Sequence, residues 1–125
     1  MVVEDDPELS DALAEYLSRR GISVLSADTG KAALELLDAG QTPDLILLDA
    51  HVKDMDADRF LEAFRHPRVP VAIMSGDPRA VRWANAHRLS FIPKPFPLDD
   101  LDRIIQENRR PRDVRKTGSG FARRQ

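Results

Sequence analysis

The stretch Asp44-Leu-Ile-Leu-Leu-Asp49 decides the fold class of this chain. Its four central residues are large and apolar and do not alternate with polar residues. This pattern is typical of a strand covered on both faces, and hence of the centre of a parallel sheet. The run closes at Asp49, and a carboxylate at the end of a buried strand needs a compensating partner. The sequence therefore predicts a central parallel strand with a polar site at its carboxyl end.

Three further apolar runs also end close to polar residues. They are Val2-Val3 before Glu4-Asp5-Asp6, residues 71–74 before Ser75, and Phe91-Ile92 before Lys94. If all four runs are parallel strands, their carboxyl ends meet at one edge of the sheet, where open α/β folds bind ligands. That edge would hold carboxylates, a hydroxyl and an ammonium. Such a set suits a hard divalent cation and a phosphoryl group, with a carboxylate available to accept it.

The acidic run favours Mg²⁺ as the cation. Carboxylates at Glu4, Asp5 and Asp6, brought near Asp49, repel one another unless protons or a cation compensate. Mg²⁺ takes one or two carboxylates, keeps several waters and accepts phosphate oxygens, so an open site with few acids suits it better than Ca²⁺. Asp6 already has another role, as a helix cap before Pro7.

Helix signals lie between the predicted strands. Asp6-Pro7 and Asp77-Pro78 each combine a capping residue with proline, and Thr29 can cap a second helix. The second strand is predicted at residues 22–25, and the fourth helix is predicted with Val81 and Ala84 as its apolar residues. Five strands alternating with five helices predict right-handed crossovers and a sheet with helices on both faces.

Composition indicates one globular domain. The chain has 125 residues, 42% hydrophobic and 32% charged, and no apolar stretch approaches the ~18 residues that a membrane span needs. The amino terminus lacks the pattern of a secretory signal, so we expect a cytoplasmic protein with no membrane partner. There is no cysteine, which excludes disulfides and thiolate chemistry. The three histidines do not have the spacing of a metal site: His51, His66 and His87.

Charge is divided unevenly along the chain. Residues 1–108 carry twelve Lys and Arg against twenty Asp and Glu, whereas residues 109–125 carry seven Lys and Arg against one Asp. The basic segment contains Gly118-Ser-Gly120 and few apolar residues, which is typical of a disordered tail. We therefore predict a domain at residues 1–108 and a disordered tail at 109–125.

Taken together, the motifs resemble those of a known family. In this order, Val2-Val-Glu-Asp-Asp-Pro7, Asp44-Leu-Ile-Leu-Leu-Asp49, Met74-Ser-Gly76 and Lys94-Pro-Phe96 resemble the receiver domain of two-component response regulators. The resemblance covers roughly residues 1–108. It implies a flavodoxin-like (CheY-like) three-layer α/β sandwich with a five-stranded parallel sheet in the order 2-1-3-4-5 and five helices. Because no second domain fits after residue 108, we expect a stand-alone receiver.

The resemblance also implies site residues and their roles. Asp49 is similar to the phosphoacceptor, which takes a phosphoryl group from a phosphohistidine of a histidine kinase or histidine phosphotransfer protein. The implied ligands of Mg²⁺ are Asp5 and Asp49 directly, the backbone carbonyl of His51, and Glu4 through water.

Three further residues match positions that respond to phosphorylation in the family. Lys94 would pair with the phosphoryl group, and Lys94-Pro95 is a bond that receivers usually make cis. Ser75 would bond to the phosphoryl group and move on activation, and Phe91 matches the switch aromatic. The output would be the surface of the fourth helix, fifth strand and fifth helix, which serves a downstream protein target or a homodimer.

The sequence departs from the family pattern in several places. Lys53 replaces a typical proline and Ala57 a typical glycine, so we expect a looser loop near Asp54 and less freedom for positive φ at Ala57. Lys53 is also hypothesised to alter metal affinity or phosphate lifetime. The first strand is expected to be stunted, or the true start to lie upstream of Met1. The third and fourth helices are expected to be short.

Two alternatives remain open. The first is a Mg²⁺-dependent phosphohydrolase with Asp49 as nucleophile, but the haloacid-dehalogenase-like pattern wants an acid two residues on, where this chain has His51. The second is a receiver whose basic tail binds nucleic acid. We favour a regulatory phosphoacceptor over an enzyme, and protein partners over nucleic acid.

Overall fold

The computed structural model of the protein describes residues 1–108, and the tail predicted at 109–125 lies outside the described residues. Five strands form one parallel sheet: β1 (Val2–Val3), β2 (Ser26–Ala27), β3 (Ile46–Asp49), β6 (Val71–Ser75) and β7 (Ser90–Pro93). Their spatial order is β2-β1-β3-β6-β7. Counted along the chain this is the order 2-1-3-4-5, so the predicted flavodoxin-like topology is confirmed.

Five helices cover the two faces of this sheet and complete the three layers. Their bounds are α1 (Pro7–Arg19), α2 (Gly30–Asp38), α3 (Ala57–Ala63), α4 (Arg79–Ala86) and α5 (Asp100–Glu107). Helices α1 and α5 bury Leu13, Leu17, Leu101 and Ile104 against one face. Helices α2, α3 and α4 bury Ala33, Phe60 and Ala84 against the other. Because successive strand residues point to opposite faces, β3 sends Leu47 to the first layer and Ile46 and Leu48 to the second.

Side-chain hydrogen bonds explain where α1, α2 and α4 begin. An oxygen of Asp6 accepts a hydrogen bond from the backbone N–H of Glu8 at 3.1 Å, and Thr29 Oγ1 accepts from that of Ala32 at 3.0 Å. For α4 the capping position is Pro78, but Asp77 Oδ1 still accepts from the N–H of Arg79 at 2.9 Å. Each predicted capping side chain therefore accepts a hydrogen bond at the start of its helix.

The prediction for the second strand was wrong. It placed the strand at residues 22–25, whereas the paired residues are Ser26 and Ala27, which align with Val2 and Val3 of β1. Pairing with the neighbouring strand, rather than local apolar content, determines which residues of an edge segment become a strand. Of the predicted residues, Leu25 still bonds to β1, because its carbonyl accepts from the N–H of Val2 at 2.7 Å. The expectation of a stunted first strand is confirmed, since β1 has two residues.

Val81 was wrongly assigned to the apolar face of α4. It is 37% exposed, while Ala84 is fully buried. Ala80 lies one turn before Ala84 on the same face of the helix and is the second buried residue of α4. Helices α3 and α4 have seven and eight residues, so the expected shortening is confirmed.

A short hairpin occupies the segment predicted as a loop after the third strand. It pairs β4 (His51–Val52) with β5 (Met55–Asp56) in antiparallel fashion. At its turn, Asp54 accepts hydrogen bonds from the backbone N–H groups of Gly30 at 2.8 Å and Lys31 at 3.0 Å. A carboxylate at the first turn of α2 compensates its free N–H groups and its dipole. Asp54 is thus held by two hydrogen bonds in the segment where the sequence predicted a looser loop.

The backbone at Ala57 needs no glycine. Among residues 1–108, Arg88 is the non-glycine residue with a positive φ. Ala57 instead begins α3, and its N–H bonds to the carbonyl of Ala50 at 3.0 Å.

Candidate functional site

The carboxyl ends of four strands bring the predicted polar residues together. Glu4 and Asp5 follow β1, Asp49 ends β3, Ser75 ends β6 and Lys94 follows β7. One carboxylate oxygen from each of Glu4, Asp5 and Asp49 lies within 4.8 Å of the other two. Residues far apart in sequence thus form one acidic cluster at the predicted edge of the sheet.

Lys94 supplies the positive charge of this cluster. Its Nζ donates to Glu4 Oε1 at 2.6 Å and lies 3.4 Å from Asp49 Oδ2. The side chain of Glu4 is only 1% exposed and that of Asp49 11% exposed. The sequence placed Lys94 near Asp49, but it did not anticipate that Glu4 is the closer partner.

Burial and charge shift the pKa values of this pair. Burial raises the pKa of Glu4 above its ordinary value, and the charge of Asp49 adds to the increase against the opposing bond from Lys94. Burial alone would lower the pKa of Lys94, but the carboxylates of Glu4 and Asp49 outweigh it and raise that pKa. Lys94 therefore stays an ammonium that neutralises part of the acidic cluster.

Backbone donors orient the carboxylates. Asp49 Oδ1 accepts from the N–H of His51 at 3.2 Å, and Asp5 Oδ2 accepts from the N–H of Lys53 at 2.9 Å. Glu4 Oε2 accepts from the N–H of Asp6 at 3.1 Å. The hairpin that follows β3 thus reaches back to Asp5. No sequence pattern indicates this contact, because it uses a main-chain group.

Ser75 is buried at the carboxyl edge of the sheet and forms hydrogen bonds with two neighbouring backbone groups. Its Oγ accepts from the N–H of Asp77 at 3.0 Å, and its carbonyl accepts from the N–H of Lys94 at 2.8 Å. The Lys94-Pro95 peptide bond is cis, as the resemblance implied. Phe91 is half-buried and packs against the apolar cluster under α2, α3 and α4.

The arrangement fits a divalent cation. Three carboxylates face one ammonium, which leaves an excess of negative charge in a partly buried place. Carboxylate oxygens are ligands that Mg²⁺ prefers. A bound cation would also compensate the repulsion between the neighbouring carboxylates. Asp6 is exposed and caps α1, so it is not part of the cluster.

The remaining histidines have other surroundings. The ring of His66 stacks on Phe64, and the ring of His87 lies 4.4 Å from that of Trp83. Among residues 1–108, neither histidine belongs to a cluster of possible metal ligands.

Comparison with known proteins identifies the family. The family model of the response regulator receiver domain matches residues 1–106. This chain belongs to the response regulator receiver family. The receiver domain of NtrX from Brucella abortus superposes with a TM-score of 0.76 at 28% identity, covering 86% of this chain and 94% of that one.

Curated relatives are longer than this receiver. The DNA-binding transcriptional regulator NtrC of Escherichia coli (strain K12) is 32% identical over 129 residues, covering 94% of this chain and 27% of NtrC. The transcriptional activator protein PfeR of Pseudomonas aeruginosa is 35% identical over 112 residues, covering 82% of this chain and 34% of PfeR. The chain thus spans about a quarter to a third of these relatives. Among residues 1–108, no helix has the length and apolar character needed to cross a bilayer.

Proposed function

We propose that this receiver is a phosphoacceptor of a two-component or phosphorelay system, with Asp49 as the acceptor. The observation that carries the proposal is the position of Asp49 beside the acids Glu4 and Asp5, with its Oδ2 3.4 Å from the ammonium of Lys94. In the reaction, an oxygen of Asp49 bonds to phosphorus while the P–N bond of a phosphohistidine breaks. The electron pair of that bond remains on the imidazole nitrogen of the donor.

The proposed cation is Mg²⁺. Asp5 and Asp49 would hold it directly, Glu4 through water and His51 through its backbone carbonyl. When bound, it would neutralise charge on the phosphoryl oxygens. The acidic excess of the cluster supports this set of ligands.

Lys94 would change its hydrogen-bond partner when Asp49 is phosphorylated. In the described structure its ammonium pairs with Glu4 at 2.6 Å. A phosphoryl group on Asp49 brings oxygens that compete for this ammonium, since charge-assisted bonds to phosphate are strong. Lys94 would then exchange its bond to Glu4 for one to the phosphoryl group.

Ser75 would respond in the same step. Its hydroxyl now accepts from the N–H of Asp77, and turning toward the phosphoryl group gives up that bond. The segment that leads into α4 then loses one restraint, and Phe91 on the neighbouring strand β7 would move inward. A ligand shifts an equilibrium only through such contacts that differ between two states.

The proposed readout is the surface formed by α4, β7 and α5. Its partners would be a histidine kinase or histidine phosphotransfer protein upstream, and a protein target or a second copy of the chain downstream. The cytoplasm is the proposed location. Residues 1–108 would act as the receiver, with 109–125 as an appended segment.

Intact mass after incubation tests the proposal. The protein is incubated with Mg²⁺ and phosphoramidate, whose P–N bond imitates that of phosphohistidine. We expect the mass of one added phosphoryl group in the parent chain and in Asp38→Ala, an exposed acid on α2, and no addition in Asp49→Ala. Equal labelling of all three would overturn the assignment. Sustained hydrolysis of small phosphomonoesters would instead support the phosphohydrolase.

A further inference from the structure

A groove lies at the opposite edge of the sheet from the acidic cluster. It has a volume of about 450 Å³ and is bounded by the end of α3, the starts of β6 and β7, and the end of α5. We name it the basic groove; its principal lining residues are Leu61, Phe64, Arg65, His66, Arg88 and Leu89. No carboxylate among residues 1–108 lines it.

The charge of this groove is opposite to that of the domain. Residues 1–108 carry a clear excess of acids, yet Arg65 and Arg88 line this groove, and Arg68 lies between its lining residues Pro67 and Val69. All three residues are exposed, and none forms an ion pair within the described part of the chain. By contrast, Arg20 on α1 is paired with Asp102 at 2.7 Å. The arginines of the groove are therefore available to an external anion.

Arg88 is held in a conformation that favours glycine. Its φ is +59°, and it directly follows the capping residue of α4. The N–H of Leu89 bonds to the carbonyl of Ala84 at 2.9 Å, which closes a glycine-type helix ending. Helices α1 and α2 end with Gly21 and Gly40 at φ of +79° and +101°. An arginine in this position strains the backbone. Such strained residues cluster at functional sites, where the side chain binds a ligand or takes part in a switch.

Two rings lie beside these cations. Phe64 and His66 stack with centroids 5.9 Å apart and planes inclined by 18°. The N–H of Arg68 donates to Nδ1 of His66 at 3.3 Å, which fixes the orientation of the exposed imidazole. Rings and cations alternate along Phe64-Arg-His-Pro-Arg68. Aromatic faces next to a cationic track are the features with which proteins bind unpaired bases and their phosphates.

The chain leaves the described region at this groove. Asn108 lines it, and its side-chain amide donates to Ser90 Oγ at 3.1 Å. Residues 109–125 begin here and carry seven Lys and Arg. We propose that the basic groove binds single-stranded nucleic acid, with Arg65, Arg68 and Arg88 on the phosphates and a base on the ring of His66. This proposal does not depend on phosphorylation of Asp49.

Fluorescence anisotropy of a labelled single strand of about 15 nucleotides, either oligothymidylate or oligouridylate, tests the site in the full-length chain. Affinity should fall steeply between about 50 and about 200 mM salt. Arg65→Ala and Arg88→Gly should each weaken binding and lower the slope of log affinity against log salt by about 1. His66→Ala should weaken binding about fivefold or more with the slope unchanged.

Matched controls separate the groove from general charge. Lys31→Ala removes an equal charge at the start of α2 and should bind like the parent. Arg88→Gly should melt no lower than the parent, because glycine relieves the strain, so lost binding would not reflect unfolding. Asp49→Ala should bind the oligonucleotide normally, which keeps this test distinct from that of the phosphoacceptor.

Three results would overturn the proposal. One is no binding at low salt. Another is equal binding of polyglutamate, which would mean a site for any polyanion. The third is binding unaffected by the groove variants but lost when Arg109→Gln, Arg110→Gln and Arg112→Gln are combined, which would assign it to the basic segment alone.

Discussion

Lys94 and Glu4 form the closest ion pair at the carboxyl edge of the sheet, with Nζ 2.6 Å from Oε1. The distance from the same ammonium to Asp49 is longer, at 3.4 Å. Glu4 is thus the resting partner of the lysine, and its buried carboxylate depends on that lysine for compensation. The acidic residue that follows the first strand holds Lys94, and under the proposed function it would also face the cation.

Substitution of this pair should show strong coupling. Lys94→Ala leaves the buried carboxylate of Glu4 without its partner, and because Lys94 itself is partly exposed we expect a loss of about 1–3 kcal/mol in the free energy of unfolding. Glu4→Gln removes that charge. The double variant should therefore lose clearly less than the sum of the two single variants, measured by urea denaturation without Mg²⁺. Losses that simply add would contradict the pairing.

Lys53 should influence the cation mainly through its backbone. Its N–H donates to Asp5 Oδ2 at 2.9 Å, while its side chain is exposed. Lys53→Ala keeps the N–H and removes a screened charge, so Mg²⁺ affinity by calorimetry should rise by about twofold. Lys53→Pro also frees the Asp5 oxygen and should raise the affinity further. Lys31→Ala is the charge control. Unchanged affinity in both Lys53 variants would dismiss any influence of this position on the metal.

Asp54 should make stability depend on acidity. Burial alone would raise the pKa of Asp54, but the N–H groups of Lys31 and Gly30 outweigh it and lower that pKa below its ordinary value. Its stabilising contribution is therefore complete above the unfolded-state pKa and is lost as pH falls through the folded-state value. Melting temperatures between about pH 6 and about pH 3 should fall less in Asp54→Asn than in the parent. Asp11→Asn, an exposed change on α1, should retain the parental slope.

The hydroxyl of Ser75 should transmit the change at Asp49 to Phe91. Beryllofluoride with Mg²⁺ imitates the phosphoryl group, and we expect it to shift the amide resonances of Ser75 and Phe91 in the parent chain. In Ser75→Ala the hydroxyl is missing, so the shift at Phe91 should shrink while the hairpin at His51 still responds. A Phe91 shift of parental size in Ser75→Ala would remove the serine from the switch.

Features that depend on local sequence were predicted more accurately than features that depend on contacts between distant residues. Strands β3 and β6 were located within one residue because their apolar runs are continuous and buried on both faces. Strand β2 was misplaced because its position depends on pairing with β1. The carboxylates and Lys94 were expected at one edge because parallel strands share their carboxyl ends.

Contacts between distant residues set the limit of sequence prediction. Glu4 and Lys94 are 90 positions apart, and no local pattern reports their distance. The bond from Lys53 to Asp5 uses a backbone group that every residue but proline carries. The β4–β5 hairpin has two-residue strands, too short for an alternation of apolar and polar residues to be recognised.

The contact of the hairpin with α2 has a consequence for protein engineering. Asp54 caps the first turn of α2, and a methyl group added to Gly30 would lie 2.5 Å from the side chain of Met55. The two segments therefore constitute one exchangeable module. A chimaeric receiver that takes residues 51–56 from a homologue should also inherit the homologue's α2, because either piece alone would meet a mismatched surface.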